Sequence, residues 1–488
     1  MKILSELQPK ILWNFFEDIC NIPHRSGKEQ KLIEYIVNYA KSKNLEYKVD
    51  EVGNVIIRKK AYPGLENLKT VILQAHLDMV AQKNSDNPHD FDVDPIKPRI
   101  EGNKVKATGT TLGADNGIGV AAALSILEEE LPIGPIEVLL TVEEETGLTG
   151  ASNLKPGLLK GEILINLDSE NEEEITIGCA GGLDATFYIK YNLSNLPNDY
   201  ITYNLKISGL KGGHSGVDIH LGRANANKLI CKILREFSKN GKIRLIYVNG
   251  GNLRNAIPRE ANAIFASTIE NASLIENSFK EVYQKILNDY KDVEDNINIE
   301  LIKVKNSYES ALTITDTEKV INIIEEIPNG VIKMSDSIPG LVETSNNIGI
   351  VATDEKNKQI LISCLIRSSV EDEKNKVAKE LEQIAKKYDV DVEFTGGYPG
   401  WTPNPNSKIL SLAKETYKNI FGKEPKIKAV HAGLETGIIG GIYPNLDMIS
   451  IGPTIRFPHS PDEEVEINSV QRFYTFLIEI LKNIKKIS

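Results

Sequence analysis

The sequence predicts an α/β protein of two domains, one of them interrupted in the chain, and three observations carry that expectation. The chain has 488 residues, whereas a single hydrophobic core stops growing near roughly 250–300. Short apolar runs at 71–75, 136–142 and 163–167 are separated by a helical stretch at 117–130 and by Gly/Pro-rich loops. That is the pattern of buried, largely parallel strands. From about Thr186 the character changes to alternating segments interleaved with helices, and near Gly396 it reverts. The expected organisation is therefore a domain of residues 1–185 plus 395–488 with a mostly parallel central sheet, interrupted by a large α+β insert, 186–394.

The elements follow in order. Apolar residues recur at helical spacing from Leu12 to Lys41, broken by Ile22-Pro-His-Arg-Ser-Gly27, so two helices open the fold. The three apolar runs then supply strands. In the insert, the segments 202–208, 262–268 and 296–303 alternate as half-buried strands do, and 225–239 and 273–289 have helical periodicity. Two similar α+β halves would account for the insert's length, although no sequence repeat is visible. A helix at 407–421, a strand at 446–451 and a helix at 469–484 complete the first domain.

Composition narrows the function. A formal net charge of -11 argues against nucleic acid as a partner, because phosphate binding needs a concentrated basic face. No segment has the 18 or so consecutive apolar residues of a membrane span. The N-terminus lacks the apolar core of a signal peptide, so a cytoplasmic location is expected. Cys20, Cys179, Cys231 and Cys364 lie far apart in apolar surroundings, which suggests reduced, buried thiols.

Chemistry concentrates where the early strands end. The first runs into His76 and Asp78, the second into Glu143-Glu144-Glu145, and the third into Asp168. The carboxyl ends of strands in an open α/β sheet form the crevice where ligands bind. Asp115 lies in Thr111-Leu-Gly-Ala-Asp-Asn-Gly-Ile-Gly119, a glycine-rich turn before a helix. A lone histidine after a strand is more often structural, and an acid before a helix is usually a cap. Gathered together, one histidine and four or five acids are unfavourable unless a cation neutralises them. Histidine with carboxylates suits zinc, and two divalent ions sharing a carboxylate suit hydrolysis. Glycines expose His214, His459 follows the late strand, and His431 is a third candidate; His24, His89 and His220 have no motif around them.

The motifs HLDMV, TLGADNGIGVAAAL, EEETGLTGA, INLDSE, GGHSG, GGNLRNAIPREA, HAGLE and FPHSPDE together resemble the aminoacyl-histidine dipeptidases, also called Xaa-His dipeptidases, peptidase D or cytosol nonspecific dipeptidases. These belong to the two-zinc aminoacylases and carboxypeptidases. The resemblance spans essentially the whole chain and implies a discontinuous zinc-peptidase catalytic domain with a lid inserted in it. It implies that His76 and Asp168 bind one zinc, that Glu145 and His459 bind the other, and that Asp115 bridges them, with Co2+ or Mn2+ as substitutes. Asp78 then orients His76, and Glu144 is the general base. His214 supplies an oxyanion donor, and Arg367 clamps the substrate carboxylate. Asn252, Arg254 and Asn255 face substrate. Small unblocked dipeptides are the implied substrates, and a homodimer formed through the lid is the implied assembly. Two features depart from a simple carry-over. Three adjacent acids, Glu143 to Glu145, offer themselves as base and ligand, and HAGLE continues with Thr436 where the family commonly has cysteine. An aminoacylase, deacetylase or tripeptidase would show the same ligands, and a non-catalytic metal-dependent binding protein would have no use for Glu144.

Overall fold

The computed structural model describes residues 3–304 and 308–488. The chain divides into two compact units, one of residues 1–178, 401–429 and 434–488, the other of residues 179–400 and 430–433.

The first unit is built on an eight-stranded sheet in the order Glu46–Val49, Val55–Lys59, Ile136–Thr141, Val71–His76, Ile163–Asn166, Asp447–Ser450, Glu174–Cys179, Lys426–Val430. Its centre is parallel: Val71–His76 runs alongside both Ile136–Thr141 and Ile163–Asn166, and Asp447–Ser450 alongside Ile163–Asn166. The hairpin at one edge is antiparallel for a local reason. Asp50 Oδ1 accepts the backbone N–H groups of Val52, Gly53 and Asn54, closing a turn that leaves Glu46–Val49 and Val55–Lys59 no room for a crossover. The expectation of a mostly parallel sheet thus holds for the four central strands. Both Val71–His76 and Ile136–Thr141 are buried at every position, as strands covered on two faces must be.

The helix Ala114–Glu128 is buried along almost its whole length and packs close to the sheet. A Cβ at Gly119 would fall 2.8 Å from the carbonyl oxygen of Leu167, so only glycine lets the helix approach the end of the third parallel strand. Lys10–Cys20 and Gln30–Ser42 are the two opening helices.

The second unit holds a nine-stranded antiparallel sheet: two halves of the same βαββαβ order supply eight strands, and Gly330–Met334, paired with Val342–Asp354, is the ninth. One half comprises Tyr200–Ser208, helix Ala226–Gly241, Arg244–Gly250, Ala261–Thr268, helix Ala272–Tyr290 and Asn298–Lys303. The other comprises Gly181–Lys190, helix Ile314–Glu326, Val342–Asp354, Gln359–Ser368, helix Glu371–Tyr388 and Asp391–Tyr398. They join edge to edge where Asn249 and Gly250 pair with Ala352 and Val351. The first half is inserted after the opening strand of the second, so the halves are interleaved in sequence. Phe187, Tyr203, Phe237 and Phe265 lie in the core beneath this sheet. Helix starts are set locally: Asn225 caps Asn227 and Lys228, and Thr313 caps Asp316.

All four cysteines are buried, and none is in a disulfide. Among the described residues no helix is long and apolar enough to cross a membrane.

Candidate active site

His76 is the last residue of a central parallel strand and is buried. Its Nδ1 lies 3.0 Å from the Asp78 carbonyl oxygen and 3.4 Å from Asp78 Oδ1, and its Nε2 lies 3.1 Å from Asp115 Oδ1 and 3.4 Å from Asp168 Oδ1. The ring therefore turns one nitrogen to Asp78 and the other to two carboxylates. Asp168 follows the neighbouring strand, where its N–H donates to Asn166 Oδ1. Asp115 sits at the start of the Ala114–Glu128 helix with non-helical φ and ψ. Its other oxygen, Oδ2, lies 3.2 Å from His459 Nε2, and that nitrogen is 3.1 Å from Glu145 Oε1.

Two sets of potential ligands result, His76/Asp115/Asp168 and Asp115/Glu145/His459, with Asp115 common to both. Glu144 joins a third group with His76 and Glu145, whereas Glu143 belongs to none of these groups. The chain arranges this by a left-handed residue: Glu143 has φ +51, which turns the backbone so that its two successors face the cluster and it does not.

Asp78 does more than face the histidine. Its carboxylate accepts from Ser26 Oγ and from the backbone N–H groups of Glu144 and Glu145, at 2.7, 3.0 and 3.2 Å. Burial alone would raise its proton affinity, but hydrogen bonds and charge from His76, with Ser26 and the Glu144 N–H, outweigh burial and hold Asp78 below its ordinary value. It is in none of the potential ligand groups.

The donor set suits a pair of divalent cations. Glu145 Oε1 and Asp168 Oδ1 are buried and receive no hydrogen bond of acceptable geometry. Burial, with Asp115 and Glu145 close by, pushes Asp168 up to about 7 despite His76. Burial and the charges of Asp168, Glu435 and Glu145 raise Glu144 well above the usual carboxylate range, again against His76. The Asp115 and Glu145 carboxylates beside its Nε2 push His459 up to about 11. The cluster thus draws in positive charge wherever it can find it, and imidazole with carboxylate oxygens is a donor set suited to zinc.

Two buried acids near this cluster carry no role in the sequence reading. Glu435 accepts from Gln74 Nε2 at 2.6 Å and Thr141 Oγ1 at 2.8 Å, and burial first, then Asp168, raises it to about 7. Gln74 in turn accepts from Asn166 Nδ2, so a hydrogen-bonded relay lies beneath the strand ends. Alternation along Val71–His76 is the signal that could have found it, since Gln74 and His76 share a face. The second acid is Glu463, buried four residues after His459.

The second unit carries the remaining candidates. His214 Nδ1 accepts from the N–H groups of Gly216 and Val217, both at 3.1 Å. A nitrogen that accepts two hydrogen bonds bears no proton, which assigns the proton to Nε2. Burial first, and then the Arg367 charge, lower the proton affinity of this ring, so it is a neutral imidazole with Nε2–H to give. Arg367, on Gln359–Ser368, is buried, and its Nη1 donates to the Tyr398 hydroxyl at 3.1 Å. Its Nε has no partner, and no carboxylate among the described residues pairs with it. His431 Nε2 lies 2.7 Å from Ser345 Oγ, and burial, with Arg367 and other histidines nearby, lowers the ring to about 3.

Arg254 is differently employed: its Nη1 pairs with Asp184 at 3.0 Å and its Nη2 donates to Thr186. Asn252 and Asn255 are exposed, and Asn252 lines a cavity of about 450 Å³ with Leu253, Ile257 and Arg259. The Asn255 carbonyl accepts from Ser215 N–H beside His214. His24 turns Nδ1 to the carbonyl of Ile22 and is buried.

The comparisons with known proteins agree with the motif resemblance. The sequence model described as Peptidase family M20/M25/M40 matches residues 72–483. The cytosol non-specific dipeptidase of Escherichia coli (strain K12) is 48% identical over 486 residues, covering 99% of each chain. The crystal structure of aminoacylhistidine dipeptidase from Vibrio alginolyticus superposes with a TM-score of 0.93 at 45% identity, covering 98% of this chain and 97% of that one. The aminopeptidase PepT of Bacillus cereus, at 16% identity and a TM-score of 0.56 over 98% of this chain and 99% of that one, shares the fold. With a family match running almost the full length and a full-length relative at 48% identity, this chain belongs to the peptidase family M20/M25/M40.

Proposed function

We propose that the chain is a dinuclear zinc dipeptidase that cleaves the peptide bond of unblocked dipeptides, Xaa-His and broader. The carrying observation is the shared position of Asp115 between two ligand sets, with Glu144 alongside. The names of the Escherichia coli and Vibrio relatives support the substrate class. His76, Asp115 and Asp168 would hold one ion, and Asp115, Glu145 and His459 the other. When bound, two such cations polarise a scissile carbonyl and lower the pKa of water.

The protein's own groups do the rest. Glu144, whose proton affinity is raised by burial and by its acidic neighbours, takes the proton of the attacking water at a carboxylate oxygen and delivers it to the leaving amine. Asp78 fixes the His76 tautomer and, through two backbone N–H groups, the direction in which Glu144 and Glu145 point. Nε2–H of His214 donates to the oxyanion that develops at the carbonyl. Arg367 receives the substrate's C-terminal carboxylate, a bidentate task suited to guanidinium. Asn252 and Asn255 contribute to substrate binding. Residues 1–185 and 395–488 form the catalytic part, and 186–394 serve as lid and as the surface of a homodimer. The enzyme works in the cytoplasm.

Steady-state kinetics of the zinc-loaded protein on Ala-His, Gly-Leu, a tripeptide and an N-acetyl amino acid test this reading. The two dipeptides are expected to turn over fastest. Faster turnover of the tripeptide or the acetylated amino acid would overturn the dipeptidase assignment in favour of a tripeptidase or aminoacylase.

A further inference from the structure

The helix that presents Asp115 has no cap of its own. Gly113, at its N-terminus, has φ +73 and no side chain to accept the first free N–H groups. A single carboxylate from the far end of the chain takes their place. Glu463 Oε2 accepts from Leu112 N–H at 2.7 Å and Gly113 N–H at 3.0 Å, while Oε1 accepts from Ala114 N–H at 2.8 Å and Asp115 N–H at 3.2 Å. Four consecutive amides thus converge on one side chain that is 2% exposed.

The anchor of that side chain is firm. Glu463 N–H donates to Ser460, and the next residues, Glu464–Glu466, pair with Lys104–Ala107. The same short segment carries His459, whose Nε2 lies 3.2 Å from Asp115 Oδ2. One turn of chain therefore places His459 directly and places Asp115 through the backbone of residues 112–115.

We propose that Glu463 is a positioning residue: it sets the spacing between Asp115 and His459 and thereby the affinity of the centre for divalent cations. The inference rests on reading the cluster as a two-metal centre. Glutamine cannot replace Glu463, because its amide NH2 would face two backbone N–H groups with no acceptor to offer. Any relaxation of residues 112–115 moves the one carboxylate common to both ligand sets.

A second long-range cap in the same unit separates positioning from simple helix stabilisation. Asp447 Oδ2 accepts from Lys408 and Ile409 N–H at the start of Lys408–Phe421, and Asp447 touches none of the ligand residues. The experiment titrates Zn2+ into full-length wild type, Glu463→Gln, Glu463→Asp and Asp447→Asn, each stripped with a chelator, by calorimetry, alongside their thermal midpoints. Both Glu463→Gln and Asp447→Asn should melt earlier. Only the Glu463 variants should lose zinc affinity, by about 10–100-fold, the range for groups that hold metal ligands in place. If Glu463→Gln does not fold, Glu463→Asp, which keeps the charge but withdraws it by one methylene, carries the same expectation. Folded Glu463 variants with wild-type zinc affinity, or an equal loss in Asp447→Asn, would overturn the proposal. A wild-type chain that takes up no zinc overturns the reading of the centre itself.

Discussion

The two units hold clusters of opposite character. At the strand ends of the first, four carboxylates, Asp115, Glu144, Glu145 and Asp168, face two histidines, and buried oxygens of Glu145 and Asp168 accept no hydrogen bond of acceptable geometry. In the second, Arg367, His214 and His431 gather with no carboxylate paired to Arg367 among the described residues, and Arg367 Nε finds no acceptor. Buried charges are ordinarily paired within the protein, because burying them alone is costly. One cluster is short of positive charge, the other of negative charge. Under the proposed function each would answer a different external partner: cations for the first, a substrate carboxylate and a developing oxyanion for the second.

The largest effect should come from the acid cluster's one member with a use beyond holding metal. Glu144→Gln is expected to lower kcat by about 10²–10⁴-fold, the usual worth of general acid–base catalysis, with zinc stoichiometry by atomic absorption unchanged. Full activity with full metal content would remove Glu144 from the mechanism. Next, His214→Ala should lower kcat by about 10²–10³-fold, as loss of an oxyanion donor does, and leave zinc affinity as it was. A loss of zinc in that variant would break the division between the two clusters.

Much of this was legible in the sequence, for reasons that differ between the units. Strand ends such as Ala75-His76 and Leu167-Asp168 announce themselves, because a continuous apolar run stopping at an ionisable residue has few structural explanations. The parallel centre followed from the same runs. The edge hairpin depends on one aspartate, Asp50, folding its carboxylate over three amides, which no periodicity reports. The two halves of the second unit were hidden by interleaving: one is inserted after the other's first strand, so no repeat lies end to end in the chain. Glu463 and Glu435 were invisible as partners because their contacts, Leu112 to Asp115 and Gln74, lie some 350 residues away in sequence. Arg254 and Arg367 looked alike as sequence, and only burial and pairing tell them apart.

Within the acid cluster, the split between ligand and orienting group gives an intermediate effect. Asp78→Ala should weaken zinc binding by about 10–100-fold, and His76→Ala by more, since it removes a ligand outright. Competition against a zinc-binding dye ranks them, and a greater loss in Asp78→Ala would mean that Asp78 is itself a ligand.

The smallest effects distinguish the two arginines of the second unit. Arg367→Lys keeps the charge but loses the fork, so KM for a dipeptide should rise by about tenfold, consistent with hydrogen bonds to charged groups being worth about 1.5–3 kcal/mol. A dipeptide amide, lacking the carboxylate, should be turned over equally by both forms. Arg254 already has Asp184 and Thr186 as partners and is partly exposed. Arg254→Ala should therefore leave KM within about twofold and cost less than about 1 kcal/mol of stability, as partly exposed ion pairs do. A tenfold rise in KM for Arg254→Ala, with Arg367→Lys unchanged, would transfer the carboxylate to the motif around Asn252 and Asn255 and reverse the assignment of the two guanidiniums.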